Sequence, residues 1–124
     1  MRGLLACALM CFTRMACAQE ETALADGALL RGLDKVNGAV HDVALRAGKS
    51  IEIGNLRVAL GECRYPVANP VGDAFAHLNI QNVDTNDTVF NGWMIASSPA
   101  LNPLEHARYD VWVLRCAMAE TSGE

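Results

Sequence analysis

Residues of the types found in a serine-hydrolase triad lie in the C-terminal quarter of the chain. Ser98, or its neighbour Ser97, is followed by His106 and Asp110, and such residues together can activate a hydroxyl for attack on an ester. The spacing gives no support, because the strained Gly-x-Ser-x-Gly turn that usually presents such a serine is missing. Ser98 before Pro99 is explained as a helix N-cap, and Asp110 as a polar residue at a strand edge. We therefore assign no catalytic residue.

Metal and cofactor sites have equally little support. His41, His77 and His106 lack the i, i+2 or i, i+4 spacing among themselves that a metal site on one strand or helix uses. The polar stretch from Asp84 to Asp87 lacks the glycine and the distal glutamate of a calcium loop, and ordinary turn chemistry explains it. No glycine-rich phosphate loop is present. We expect neither a metal nor a cofactor.

The tryptophans are stronger candidates for binding. An exposed indole can stack on a glycan or anchor a partner side chain, whereas a buried indole belongs to the core. Trp112, flanked by valines, is expected in the core, while Trp93 after Asn91-Gly92 fits either role equally well. Because loops on a rigid scaffold usually carry recognition, we expect the binding surface around Trp93. Its candidate residues are Tyr65, Trp93, Met94, Ser97, Ser98 and Asn102.

The first eighteen residues have the composition of a secretory signal. Arg2 precedes an apolar run, and Ala16-Cys17-Ala18 is a small-x-small cleavage pattern. The run is far shorter than the roughly 20 residues that cross a bilayer. We expect a signal peptide at 1–18 and export to the periplasm, with no transmembrane segment in the mature chain. A lipid anchor is the alternative, although the residues before Cys7 and Cys17 depart from the usual pattern.

Removal of that segment leaves an acidic chain with two cysteines. The whole sequence has 10 basic and 14 acidic residues and a net charge of −4, and the signal takes Arg2 and Arg14 with it. An acidic domain does not suit nucleic acid or anionic lipid as a partner. Cys63 and Cys116 remain, and two cysteines in an exported chain predict one disulfide. Two free buried thiols are the alternative. The oligomeric state is left open.

Alternation of apolar and polar residues predicts an all-β fold. Strands are expected at 40–45, 50–53, 56–63, 74–83, 89–96 and 109–116. Gly54-Asn55 between two of these strands predicts a tight type II′ hairpin. About six to seven short strands indicate one small β-sandwich or partly open barrel at 29–118. A flexible leader at 19–28 precedes it and a tail at 119–124 follows.

Three local features refine this expectation. Strict alternation would turn Cys63 away from the face shared by Leu56, Val58 and Leu60, so we predict a bulge at Gly61 that turns it back. The last strand is apolar on both faces, which is typical of a central strand. Between the last two strands, the pairs at 98–99 and 102–103 each resemble a helix start. They predict one or two single-turn helices, with the histidine at 106 near a helix end.

As a string, the sequence resembles a known family. "GWM" at 92–94, "ASSPAL" at 96–101, "LEH" at 104–106 and "YDVW" at 109–112 are its most specific parts. From about Leu29 to Cys116 the chain is similar to the bacterial proteins grouped as domain of unknown function 2155, found mainly in alphaproteobacteria. The resemblance implies an exported envelope protein, sometimes lipid-anchored, with a cysteine pair at these positions. It implies no reaction, substrate or catalytic residue.

Together these features predict a non-enzymatic periplasmic β domain. We expect it to bind an envelope component, protein or glycan, in envelope assembly or integrity. Two alternatives stay open. One is an inhibitor of an envelope hydrolase that presents the loop at 64–73, and the other is a small serine-dependent hydrolase using Ser98, His106 and Asp110.

Overall fold

A computed structural model describes residues 20–118. The predicted signal segment at 1–18 and the tail at 119–124 lie outside these residues. Within them, eight strands and one 3-10 turn form two antiparallel sheets that do not close into a barrel. The predicted all-β sandwich is confirmed. None of the described segments is a helix of the length and hydropathy needed to cross a bilayer.

The strands are numbered in chain order. They are β1 (Thr22–Leu24), β2 (Gly27–Asp34), β3 (Val40–Arg46), β4 (Ser50–Ile53), β5 (Leu56–Pro66), β6 (Phe75–Asn82), β7 (Thr88–Ile95) and β8 (Tyr109–Ala117), with the 3-10 turn at Pro99–Leu101. The larger sheet has the order β1-β5-β6-β7, and β4 also pairs with β5. The smaller sheet has the order β3-β2-β8.

The space between the sheets is filled by aliphatic side chains. On β6 the predicted alternation is confirmed, because Ala76, Leu78 and Ile80 are fully buried while the residues between them face outward. Removal of this apolar surface from water is the main favourable contribution to folding. Further fully buried aliphatic side chains come from both sheets: Ala28, Leu30, Leu56, Val58, Leu60, Val111 and Val113.

The hairpin between β4 and β5 forms as predicted. Gly54 and Asn55 are the two residues between the paired strands. Gly54 has a φ of +59°, the left-handed value that a type II′ turn requires at its first central position. The turn brings Gly54 against the ring of Tyr109 at the start of β8, so the hairpin end contacts the opposite sheet.

The predicted bulge on β5 is also present. Its pairing with β6 shifts between Leu60 and Glu62, which leaves Gly61 as the extra residue. Cys63 therefore returns to the face of Leu60 and is fully buried. A glycine tolerates the irregular backbone of a bulge without a side-chain clash.

A second bulge, which the sequence did not predict, lies on β8. The pairing of β2 with β8 skips Leu114. Cys116 consequently follows Val113 on the core side of the strand and packs against the buried cluster. On β5, one extra residue likewise lies between Leu60 and Cys63. A bulge therefore precedes each of the two cysteines.

A disulfide joins these two cysteines across the core. The Sγ atoms of Cys63 and Cys116 are 2.05 Å apart, and their Cα atoms are 5.7 Å apart. Since Cys63 lies on β5 and Cys116 on β8, the bond connects the larger sheet to the smaller one. It therefore fixes the two layers of the sandwich to each other.

The segment predicted as a flexible leader is structured from Thr22. β1 pairs Thr22–Leu24 with Arg64–Pro66 of β5, and β2 begins at Gly27. The first three residues of the loop predicted at 64–73 therefore belong to β5. The prediction was wrong because a three-residue strand is too short to show periodicity, and the alanines around it carry little amphipathic signal.

The prediction that the last strand lies centrally is wrong. β8 pairs only with β2 and is an edge of the smaller sheet, whose central strand is β2. Trp112, which was expected in the core, is half-buried: it packs against the core cluster and, with Pro99, Ala100 and Pro103, lines an open groove of about 400 Å³. Partial burial of Trp112, and not pairing with a second strand, accounts for the apolar pattern.

One of the two possible single-turn helices forms. The 3-10 turn spans Pro99–Leu101, but the Ser98 side chain makes no capping hydrogen bond. The second turn, predicted from Asn102 onward, is absent. Asn102 instead donates its side-chain Nδ2–H to the carbonyl oxygen of Trp93 at 3.0 Å, so its amide fastens the loop to the edge of β7.

Candidate functional site

The outward surface of β5, β6 and β7 carries an exposed tryptophan among polar side chains. We call this surface the Trp93 face. In the strand register, Trp93 lies directly opposite His77, and Asn91 lies opposite Asn79. We define the face by Glu62, His77, Asn79, Gln81, Asn91 and Trp93; Ala59 and Arg57 of β5 border it, opposite Asn79 and Gln81.

Trp93 is held in place and remains accessible. Its ring makes a T-shaped contact with the His77 ring, with centroids 5.2 Å apart and planes at 76°. Its carbonyl oxygen accepts the hydrogen bond from Asn102 described above. The residue is nevertheless 41% exposed. A large ring that is both ordered and open suits binding, because little side-chain entropy is lost when a ligand stacks on it.

Three amide side chains continue the face along the strands. Asn79 and Asn91 are cross-strand neighbours, and Gln81 follows Asn79 on the same side of β6. None of the three amides makes a side-chain hydrogen bond to another described residue. Each amide offers two donors and an acceptor, so all three are available to an external ligand.

Charged residues on the face and at its border neutralise one another. The Nε of Arg64 lies 3.1 Å from Oε1 of Glu62, and Nη2 of Arg57 lies 3.6 Å from Oε1 of Glu52. Both pairs are partly open to solvent, where such pairs contribute little stability. Their effect on the surface is that no unpaired charge adjoins Trp93 on β5.

An apolar row lies beside one end of the face. Leu24, Phe75 and Ile95 lie in one row across β1, β6 and β7, with Arg64 between the first two. Leu24 is 58% exposed, whereas Phe75 and Ile95 are half-buried. The exposed apolar area in this row is therefore small.

The other predicted surface residues occupy varied positions. Met94 is only 3% exposed and points into the core, which corrects its assignment to the surface, since its neighbour Trp93 takes the outward side of β7. Tyr65 is half-buried against the core cluster, and Ser98 is half-buried. Ser97 is exposed but donates its hydroxyl to Asp73 at 2.7 Å. Its role is to fix the end of β7 to the loop before β6.

The residues of the considered catalytic triad are used differently. Among residues 20–118, no hydrogen bond joins Ser98, His106 and Asp110 to one another. The Nδ1 atom of His106 accepts hydrogen bonds from the backbone N–H groups of Arg108 at 3.0 Å and Tyr109 at 3.1 Å. His106 thus orders the turn into β8, and the predicted helix end at this residue is absent.

The considered calcium stretch is a turn that uses its polar side chains on its own backbone. Asn82 Oδ1 accepts from the Asp84 N–H at 3.1 Å, and Thr85 Oγ1 accepts from the Asp87 N–H at 3.3 Å. Asn86 has a φ of +58°, which asparagine tolerates better than most residues. In the part of the chain that the structure describes, no group of three or more His, Cys, Asp or Glu residues is placed to hold a metal ion.

Two ion pairs outside the Trp93 face shift carboxyl pKa values. Hydrogen bonding from Arg108, with Nη2 3.0 Å from Oδ2, holds the pKa of Asp34 below its usual value. Bidentate hydrogen bonding from Arg31, at 2.7 and 2.9 Å, similarly lowers the pKa of Asp42. The first pair links β2 to the turn before β8, and the second links β2 to β3.

The free energy of unfolding is expected to fall in acid. Because the folded-state pKa values of Asp34 and Asp42 are lowered, both pairs stabilise the fold above the ordinary aspartate value of about 3.9 and lose that contribution as the pH falls through the folded values. Urea midpoints should be flat from pH 7 to about 5 and decline below about 4. Asp34→Asn should lower the midpoint at pH 7 and make the decline shallower. Asp87→Asn, at an exposed carboxyl, is the matched control, and an equally shallow decline in both variants would contradict the assignment.

Sequence reasoning identified Trp93 but not the residues that surround it. Alternation separates His77 and Asn79 from the apolar face of β6, and the structure places both on the outward side. The missing information was the register that sets β6 against β7. The available signal was the presence of amide residues at alternate positions of two predicted strands that are neighbours in sequence. These residues indicate a shared surface only once the two strands are known to pair.

Two comparisons place the chain among known sequences. The profile of a family described as "Uncharacterized protein conserved in bacteria (DUF2155)" matches residues 28–116. "Uncharacterized protein RP359" of Rickettsia prowazekii (strain Madrid E) is 28% identical over 87 residues, which cover 68% of this chain and 56% of that protein. The chain thus spans little more than half the length of this relative. No solved structure gives a significant match.

The profile match runs from the start of β2 to the second cysteine of the disulfide. It includes every strand except β1, all of the Trp93 face and both bulges. With most of its length matched, the chain belongs to the DUF2155 family of uncharacterised bacterial proteins.

Proposed function

We propose that this protein is a non-enzymatic domain of the bacterial periplasm that binds a cell-envelope component through the Trp93 face, in assembly or integrity of the envelope. The observation that carries the proposal is Trp93 itself, ordered by His77 and Asn102 yet 41% exposed. Ordered aromatic anchors surrounded by polar groups are typical of binding sites.

The location rests on two supports. The sequence at 1–18 has the features of an export signal. The bond between Cys63 and Cys116 is of a kind that persists in oxidising compartments such as the bacterial periplasm and is rare in the cytosol.

A binding role is supported over catalysis by how the polar residues are used. His106 directs its Nδ1 to backbone N–H groups and Ser97 directs its hydroxyl to Asp73. Both side chains therefore stabilise loops. The amides of the Trp93 face have no such internal task, which leaves them available to a ligand.

The test is recovery of envelope material by the tagged mature protein. Trp93→Ala should lower recovery of the bound component by about tenfold, the effect of losing a central aromatic anchor. Val36→Ala is the control, because Val36 is 74% exposed and lies between β2 and β3, away from the face. Equal recovery by Trp93→Ala and wild type would contradict the assigned surface. Labelling by a fluorophosphonate that is lost in Ser98→Ala would contradict the non-enzymatic role.

A further inference from the structure

The chemistry of the Trp93 face restricts its ligand to a neutral one. The charged side chains nearest to it are already paired: Glu62 with Arg64 on β5, and Arg57 of β5 with Glu52 of β4. An ionic ligand would find no unpaired countercharge there, and a charged ligand of either sign would lose hydration without gaining a partner. The chain as a whole is acidic, with a net charge of −4, which further disfavours polyanions.

The free hydrogen-bonding groups are amides. Asn79, Gln81 and Asn91 present donors and acceptors together, and none is occupied by a described residue. Ligand hydroxyl groups also donate and accept, so an amide and a hydroxyl pair without any change in charge. A ligand rich in hydroxyl groups matches this part of the face best.

The indole supplies the complementary apolar contact. One side of a pyranose ring is lined by C–H groups, which carry slight positive charge and pack against the negative face of an aromatic ring. Trp93 lies in the row next to Asn79 and Asn91. Successive outward rows on a strand are about 7 Å apart, so a sugar stacked on Trp93 has hydroxyl-binding amides within one row of it.

The face is long enough for more than one sugar ring. The rows of Trp93, Asn91 and Gln81 follow one another along the paired strands β6 and β7. They span about 14 Å at the usual rise of a strand. A linear oligosaccharide laid along the strands would contact all three rows, whereas a single sugar would contact only one or two.

A protein partner fits this surface less well. Protein interfaces need a sizeable apolar centre, and the row beside the face offers only Leu24 as a largely exposed aliphatic residue. Phe75 and Ile95 are half-buried in the same row. The exposed polar groups outnumber the apolar ones, which favours a sugar over a protein.

We propose that the Trp93 face binds a neutral, linear glycan strand, with one pyranose ring stacked on Trp93 and neighbouring hydroxyl groups bonded to Asn79, Asn91 and Gln81. This inference rests on the proposed function and names its ligand class. The ring of His77 holds the indole from the side, and the Asn102 bond holds the strand beneath it.

The test uses the mature protein with its disulfide intact and two probes, the β-1,4-linked hexamers of N-acetylglucosamine and of glucose. Calorimetry and the indole N–H resonances should report binding of at least one hexamer, and a tighter complex with the first would assign a contact to its acetamido groups. Trp93→Ala should weaken binding about tenfold or more, while Trp93→Tyr keeps an aromatic face and should retain most of it. His77→Ala should weaken binding, and His41→Ala, at an exposed histidine of the other sheet, should not.

The outcomes separate the two proposals. Binding that Trp93→Ala abolishes, with an unchanged urea midpoint, supports the glycan site. If neither hexamer binds while Trp93→Ala still loses its envelope material, the glycan assignment is overturned and the proposed function stands. If neither hexamer binds and Trp93→Ala recovers envelope material as wild type does, both are overturned. Binding that Trp93→Ala leaves intact overturns the site.

Discussion

Replacement of both bonded cysteines by alanine is expected to lower the free energy of unfolding by roughly 4 kcal/mol. The bond spans 53 residues of sequence, and its removal lets the unfolded chain explore the many conformations that a closed loop forbids. Domains of this size have a net stability of about 5–15 kcal/mol. The Cys63→Ala/Cys116→Ala variant should therefore lose a large fraction of its stability and unfold at a much lower urea concentration.

Urea unfolding followed by tryptophan fluorescence measures this loss. Reduced wild type should resemble the double variant, and dithiothreitol should leave the double variant unchanged. Alkylation of protein taken from cells provides an independent check. Two alkylated thiols in the native protein would show that the bond does not form there. A wild-type midpoint that is insensitive to reduction would show that the bond contributes nothing to stability.

Gly54→Ala is expected to cost about 3–4 kcal/mol, for two reasons that add. The φ of +59° at Gly54 is one that a residue with a Cβ rarely adopts. The added methyl group would also overlap the Tyr109 ring, with Cε1 only 2.6 Å away. The ring cannot easily move, because Tyr109 is buried and contacts the His106 ring, at 5.5 Å, and the Arg108 guanidinium, at 5.3 Å.

Gly48→Ala separates these two reasons. Gly48 also has a positive φ, +81°, but an added Cβ there would have no neighbour within 4 Å. Its substitution should cost about 1–2 kcal/mol through backbone conformation alone. Tyr109→Leu removes the ring that the added methyl group overlaps. It should therefore destabilise the Gly54→Ala variant less than it destabilises wild type. Equal losses for the two single glycine variants would mean that the contact with Tyr109 has no role.

The fold class was predictable because alternation records which face of a strand is buried. The bulge at Gly61 was predictable for a related reason, since Cys63 conflicted with an otherwise regular pattern and a glycine lay between. The bulge at Leu114 was harder to predict, because no glycine marks it and β8 is apolar on both faces from Val111 to Leu114, so the pattern did not show which face was inward. The same two-sided pattern led to the wrong placement of β8, since it reports burial and not the number of paired neighbours.

The candidate site was predictable only in part. Trp93 stood out by residue type, but Met94 was assigned to the same surface, although neighbouring residues of a strand face opposite sides of the sheet. His77 and Trp93 come together only through the pairing of β6 with β7. Long-range register depends on the turn and on both strands at once, and a single sequence records it weakly.

The matching bulges on β5 and β8 bear on the order in which the chain folds and is oxidised. If each strand kept a regular pleat beyond Leu60 and Val113, the inward positions would fall to Glu62 and Arg115 in place of the sulfurs. If only one strand kept the regular pleat, one charged side chain would be buried without a partner among aliphatic groups. If both strands did, two charged groups would still lose their hydration. The charged neighbours thus penalise the wrong alignment while both thiols are still reduced. Oxidation then joins two sulfurs that packing has already placed side by side.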